Sequence, residues 1–158
     1  MKRKLFALML ALMMMIAAGA LADAPVEELT AEETLAAEAV LAAQPGAQVN
    51  YLIKERDDGR WEWDVFFQQG TALGEATVNA ETYAVTKTKT YDNLPADALT
   101  ADQAVAKLKE LKGALTITEL DFDRDDGSYR YEGSAELDGK RYEFEMTVSG
   151  KLVEWERD

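Results

Sequence analysis

The spacing of apolar residues changes from helical to extended and back along the chain. From Leu29, apolar side chains recur at helical intervals, with Leu35, Ala36, Ala39, Val40 and Ala43 on one stripe, and Pro45-Gly46 stops the run. Thr30 and Glu33 form a capping box at its start: the hydroxyl serves an orphan backbone N–H and the carboxylate reaches back. From Val49 the period is two. Leu52 leads into the turn Asp58-Gly59, and Trp61, Trp63, Val65 and Phe67 then alternate with polar residues. Asp-Gly supplies the positive φ angles of a two-residue type I′ hairpin. Gly74, Ala76, Val78 and Ala80 alternate again but are small, and a fourth strand is predicted over Tyr83 to Tyr91, its register open. After a linker broken by Pro95, the helical period returns in Ala104, Val105, Leu108 and Leu111, behind a second capping box of Thr100 and Gln103 and closed by Gly113.

Three turns follow, at Asp126-Gly127, Asp138-Gly139 and Ser149-Gly150. Read as two-residue loops, they pair Phe122 with Tyr131, Tyr131 with Met146, and Met146 with Val153. Tyr129, Ala135, Tyr142, Phe144, Val148 and Trp155 then fall on the same face. A one-residue slip would invert a strand, so the agreement of the turns argues for this register. The opposite face carries Glu119, Asp121, Arg130, Glu132, Glu143, Glu145 and Glu154, a solvated surface. In the first half, Trp63, Val65 and Phe67 share one face, while Tyr51, Ile53 and Phe66 lie on the other. Those three form an apolar patch, either a partner-binding surface or a seam between two halves. The aromatics Trp61, Trp63, Tyr129, Tyr131 and Trp155 are expected on helix-covered faces, as core.

The two halves are related. Arg56-Asp57-Asp58-Gly59 recurs as Arg124-Asp125-Asp126-Gly127, each followed by two aromatics at the same offsets, and Leu29-Thr30-Ala31 recurs as Leu99-Thr100-Ala101. The expected fold class is α+β: two tandem units, each a helix packed on an antiparallel four-stranded β-meander. The expected boundaries are a signal peptide over 1–22, a first unit over 23–91, a linker over 92–98 and a second unit over 99–158. Units of about 60 residues are marginal alone, so the two are expected to lean on each other, their sheets side by side.

Composition adds a compartment. Lys2-Arg3-Lys4, an apolar run from Leu5 to Ile16 and the small residues up to Ala22 have the form of a secretory signal peptide, the run being too short for a membrane span. The protein is therefore expected outside the cytoplasm, secreted or in a bacterial cell envelope, without a stable membrane anchor. There is no cysteine, hence no lipid-modified cysteine and no disulfide. Removing residues 1–22 takes away three basic residues and no acidic one, deepening the net charge from −13 to −16. Such a charge argues against nucleic acid and anionic membranes as partners.

Catalytic chemistry finds little to work with. Without histidine or cysteine, the usual triads, thiol nucleophiles and His- or Cys-based zinc and haem sites are excluded. No cofactor is expected. Two carboxylates would suffice for a glycosidase, but among 30 acidic residues suitable pairs arise by chance. Asp121, Asp123, Asp125 and Glu132 have the spacing of calcium ligands in an EF-hand loop, yet Gly127 falls one place late and strands, not helices, flank it. Turn chemistry accounts for the same residues, and a weak calcium site is the alternative.

Leu99-Thr100-Ala101-Asp102-Gln103-Ala104-Val105, the Arg124-Asp125-Asp126-Gly127 hairpin, Tyr142-Glu143-Phe144-Glu145-Met146 and Gly150-Lys151-Leu152-Val153-Glu154-Trp155 resemble the PepSY family. Residues 29 to 91 match its pattern more weakly: Gly74, Ala76 and Val78 replace large residues, and Tyr83 stands where a turn glycine belongs. The resemblance implies a non-enzymatic exported protein-binding module, with a secreted peptidase as the partner to be inhibited or modulated. It carries no catalytic residues. Tandem helix-plus-sheet units are also similar in architecture to a secreted β-lactamase inhibitor protein, a likeness of fold only. The alternative function is a structural or weakly calcium-binding secreted domain.

Overall fold

A computed structural model describes residues 28–158, so the expected signal peptide and the start of the mature chain lie outside the described residues. Helix α1 (Ala31–Ala43) precedes strands β1 (Gln48–Asp57), β2 (Arg60–Gln69), β3 (Ala72–Asn79) and β4 (Val85–Tyr91). Helix α2 (Ala101–Lys112) precedes β5 (Thr116–Asp125), β6 (Ser128–Leu137), β7 (Lys140–Thr147) and β8 (Leu152–Arg157). Each helix is followed by its own antiparallel meander, β1-β2-β3-β4 as sheet A and β5-β6-β7-β8 as sheet B. The α+β class and the two helix-plus-sheet units are as the sequence indicates.

Both helix starts use the expected side chains. The Thr30 backbone N–H donates to Glu33 Oε2 (2.7 Å) and the Glu33 N–H to the Thr30 hydroxyl (3.3 Å). At α2 the Thr100 N–H donates to Gln103 Oε1 (3.0 Å), and the Thr100 hydroxyl bonds Asp102. Asp58, Asp126 and Asp138 take positive φ (45°, 45° and 52°) with the glycine after each, as two-residue type I′ loops require. Phe122 pairs with Tyr131 and Tyr131 with Met146, as derived.

The third turn differs. The Gly150 N–H donates to the Thr147 carbonyl (2.8 Å) and the Thr147 N–H to the Lys151 carbonyl (2.9 Å), a longer loop with only Gly150 in the left-handed region. Met146 consequently pairs with Leu152 rather than Val153, which bulges out and is 54 % exposed. The register recovers at Glu145–Glu154 and Phe144–Trp155. The corresponding turn of the first unit runs from Asn79 to Ala84, with Tyr83 at φ 55° where Gly150 sits in the second, so β4 starts at Val85 and not Tyr83. Asn79 Oδ1 holds this turn by accepting the Glu81 and Thr82 N–H groups.

Each unit also has a bulge at the same repeat position, between Val49 and Tyr51 in β1 and between Ile117 and Glu119 in β5. The bulge turns Val49 toward α1 and Tyr51 away from it. Sheet A's inner face (Val49, Trp63, Val65, Phe67, Ala76, Val78) packs under Ala36, Ala37 and Val40 of α1. The small residues of β3 have a cause: a Cβ on Gly74 would stand 2.3 Å from the Phe67 ring, which occupies that space. Trp61, expected in this core, is 51 % exposed because it lies beside the hairpin tip, paired with Arg56, where Lys54 lies over its ring.

A second cluster joins the units. Ala101, Ala104, Val105 and Leu108 of α2 pack with Leu120, Phe122, Tyr131, Ala135, Phe144 and Met146 of sheet B, and the outer face of sheet A adds Ile53, Phe66 and Leu73. Phe66 is 2 % exposed, and Tyr51 packs half-buried with its ring centroid 6.1 Å from that of Phe66. Of the two readings of Tyr51, Ile53 and Phe66, the partner-binding surface is thereby corrected in favour of the seam: these side chains fill it, because β5 and α2 lie against them. Tyr131 ties the linker to the same core, its hydroxyl donating to the Leu99 carbonyl at 2.9 Å. Tyr131→Phe removes that bond and leaves a carbonyl without its donor, so a loss of about 1 kcal/mol is expected in urea unfolding. An unchanged midpoint would mean that water replaces the hydroxyl at no cost.

Candidate functional site: an acidic sheet face and its junction

The face of sheet B turned away from α2 is left open by the described residues. Strand alternation brings Glu119 and Asp121 of β5, Glu132 and Ser134 of β6, Glu143 and Glu145 of β7, and Glu154 of β8 onto it. Cross-strand pairing orders them into rows. Asp121 faces Glu132, Glu132 faces Glu145, and Glu145 faces Glu154; next to it, Glu119 faces Ser134 and Ser134 faces Glu143. The twisted sheet leaves a shallow groove of about 270 Å³ along these rows.

Like charges directly across a ladder are unfavourable, and two arginines partly relieve them. Arg130 pairs with Glu145, and Arg141 bonds Glu119 (3.2 Å) and the Ser134 hydroxyl (3.0 Å). Burial, then the neighbouring Glu145 carboxylate, pushes the Glu132 carboxyl above its ordinary value. The floor of the groove is thus rich in carboxylates and short of cations. It can receive a basic surface.

At its β5 end the groove meets sheet A. β5 is an edge strand, and the Phe122 N–H on it donates to Glu75 Oε2 of β3 at 2.8 Å, covering an edge that would otherwise seek another strand. Lys89 of β4 lies 3.0 Å from Asp121 and 3.7 Å from Glu75, and the Tyr91 hydroxyl donates to Asp123 (2.8 Å). Glu75 and Asp64 are only 4 % and 5 % exposed. These acids were not singled out from the sequence. The available signal was their place on the same face as Ile53 and Phe66, where an acid among apolar neighbours either meets solvent or needs a partner.

Of the residues with calcium-loop spacing, Asp121, Asp123 and Glu132 are engaged separately. Asp121 is engaged by Lys89 and Asp123 by Tyr91 and the Arg124 N–H (2.7 Å), while Glu132 stands across the ladder from Asp121. Asp125 ends β5 beside the turn. Among the described residues no three His, Cys, Asp or Glu side chains are grouped to hold a metal ion. Among the described residues, too, no helix is long and apolar enough to cross a membrane.

Residues 98–157 match the family described as PepSY, peptidase propeptide and YPEB domain. No curated protein matches. Among solved structures, a candidate lipoprotein from Clostridium difficile 630 is similar at 18 % identity and TM-score 0.43, over 78 % of this chain and 90 % of that one. A BLIP-like protein from Bacteroides fragilis NCTC 9343 is similar at 14 % identity and TM-score 0.30, over 78 % of this chain and 84 % of that one.

Proposed function

We propose that this chain, whose residues 98–157 match the PepSY family, is a non-enzymatic protein-binding module that works outside the cytoplasm and restrains a peptidase there. The observation that carries the reading is the uncovered acidic face, which lies on the same unit as the PepSY match. The family's description includes peptidase propeptides, which fits a peptidase as the partner. The charge of the groove selects a basic surface on that partner, because opposite potentials speed encounter and set orientation. The absence of histidine and cysteine from the sequence supports a role without catalysis of its own.

The test is binding and inhibition across a panel of secreted metallo-, serine and cysteine peptidases. Glu143→Lys/Glu154→Lys replaces two groove carboxylates by cations. For a peptidase that the native protein binds, this variant is expected to weaken affinity by about tenfold or more at low salt, with a smaller loss at 0.5 M salt. A panel in which nothing binds, or binding indifferent to the two substitutions, would sink the proposal.

A further inference from the structure

The junction between the sheets collects more carboxylates than its cations can balance. Ile53 pairs with Asp64, so Glu55, two residues on, is the diagonal neighbour of Asp64 on the same face, and Asp64 is buried there. Two neighbouring carboxyl groups in a buried place repel when both are ionised, and a proton on one of them relieves this. The Thr77 hydroxyl donates to Asp64 at 3.0 Å from the other side. Glu62 of β2 and Glu119 and Asp121 of β5 act on the pair, Lys87 of β4 lies in the row of Asp64 and Thr77, and Glu75 of β3 lies across from Lys89 in the next row. Among the described residues Lys89 is the cation that ion-pairs across the seam, touching Glu75 on one sheet and Asp121 on the other.

We propose that the seam is a proton-dependent latch: a proton held between Glu55 and Asp64 lets the acids of sheet A lie beside Glu119 and Asp121 of β5, and its release loosens β5 from sheet A. The latch holds whatever partner the groove takes.

The direction with pH follows from the environment. Burial, then Asp64, raises Glu55 to about 8, and burial outweighs the Phe122 N–H and Lys89 to raise Glu75 to about 7. Burial also raises Asp64, against the pull of the Thr77 hydroxyl and of Glu55 beside it. Groups whose pKa is raised in the docked state contribute stability that is complete below their ordinary value of 4.5 for glutamate and disappears as pH climbs through 7 to 8. Lys89, despite burial, is held above its ordinary value by Glu75 and Asp121, so it stays charged across this window.

The experiment follows Tm and the exchange of the Phe122 amide between pH 6 and pH 9. The native protein is expected to lose on the order of 5 °C and to show a lower protection factor at Phe122, its exchange taken relative to the unstructured amide at the same pH, while the α1 amides keep theirs. Glu55→Gln, which keeps a neutral hydrogen-bonding group beside Asp64, should remove most of both changes, and Asp64→Asn should do the same should the first variant fold poorly. Glu38→Gln, a charge removed from the exposed face of α1, should follow the native protein. The latch is overturned if Glu55→Gln and Asp64→Asn lose stability with pH as the native protein does, or if α1 and Phe122 lose protection together.

Discussion

Phe66→Ala is expected to destabilise the protein by about 3–5 kcal/mol, the range for emptying a buried phenylalanine site. The ring is 2 % exposed and is packed by groups from both units: Tyr51, Ile53 and Leu73 on its own sheet, and α2 with sheet B across the seam. Neither sheet can close over the space without moving against the other, so collapse of the cavity is opposed. Urea unfolding read by both tryptophan fluorescence and far-UV circular dichroism checks this. Loss of coincidence between the two probes would report units that no longer unfold together. Trp61→Ala, at an exposed ring of the same sheet, is the comparison, with an expected change of about 0.5 kcal/mol or less. Equal midpoints for the two variants would remove the seam as a source of stability.

Gly133→Ala should cost about 3 kcal/mol, at the upper end for overpacking. A Cβ at that position would stand 2.0 Å from the Glu119 carbonyl oxygen, 2.8 Å from its carbon and 3.1 Å from the Leu120 Cα. All three are backbone atoms of the β5 bulge, which cannot rotate aside as a side chain would. Relief requires β5 to shift on β6, and with it Glu119 and Asp121 on the groove floor and the Phe122 N–H on Glu75. Gly139→Ala separates this from loss of glycine as such: its φ is 70° with nothing within 4 Å, so the cost is that of a left-handed alanine, about 1 kcal/mol. Thermal unfolding that placed the two variants together would show that the bulge yields easily.

The corresponding positions of the two units separate what is local from what is not. Counted from the repeated hairpin, Tyr51, Ile53 and Phe66 occupy the places of Glu119, Asp121 and Ser134. Strand alternation and the Asp-Gly turns were enough to put each trio on the face away from its helix, since side-chain direction follows from period and turn type alone. The capping residues and the Phe122–Tyr131–Met146 register were legible for the same reason. The bulge at Val153 was not, because Ser149-Gly150 looks like a two-residue loop and the extra residue shows only in its hydrogen bonds.

What covers each face was outside the reach of pattern. Alternation makes the acidic residues on the outer face of sheet B a solvated surface, and that face is the open groove. An apolar trio on sheet A was compatible with a free surface or a seam, and docking of the second unit made it the seam. The same docking buried Asp64 and Glu75 and brought Lys89 to Asp121, contacts between residues 32 or more positions apart in the case of Lys89–Asp121 and Glu75–Phe122. Periodicity reports the direction of a side chain from its own strand. Whether that direction ends in water or in another unit depends on how two folded bodies fit, and the chain expresses that only through contacts between distant residues.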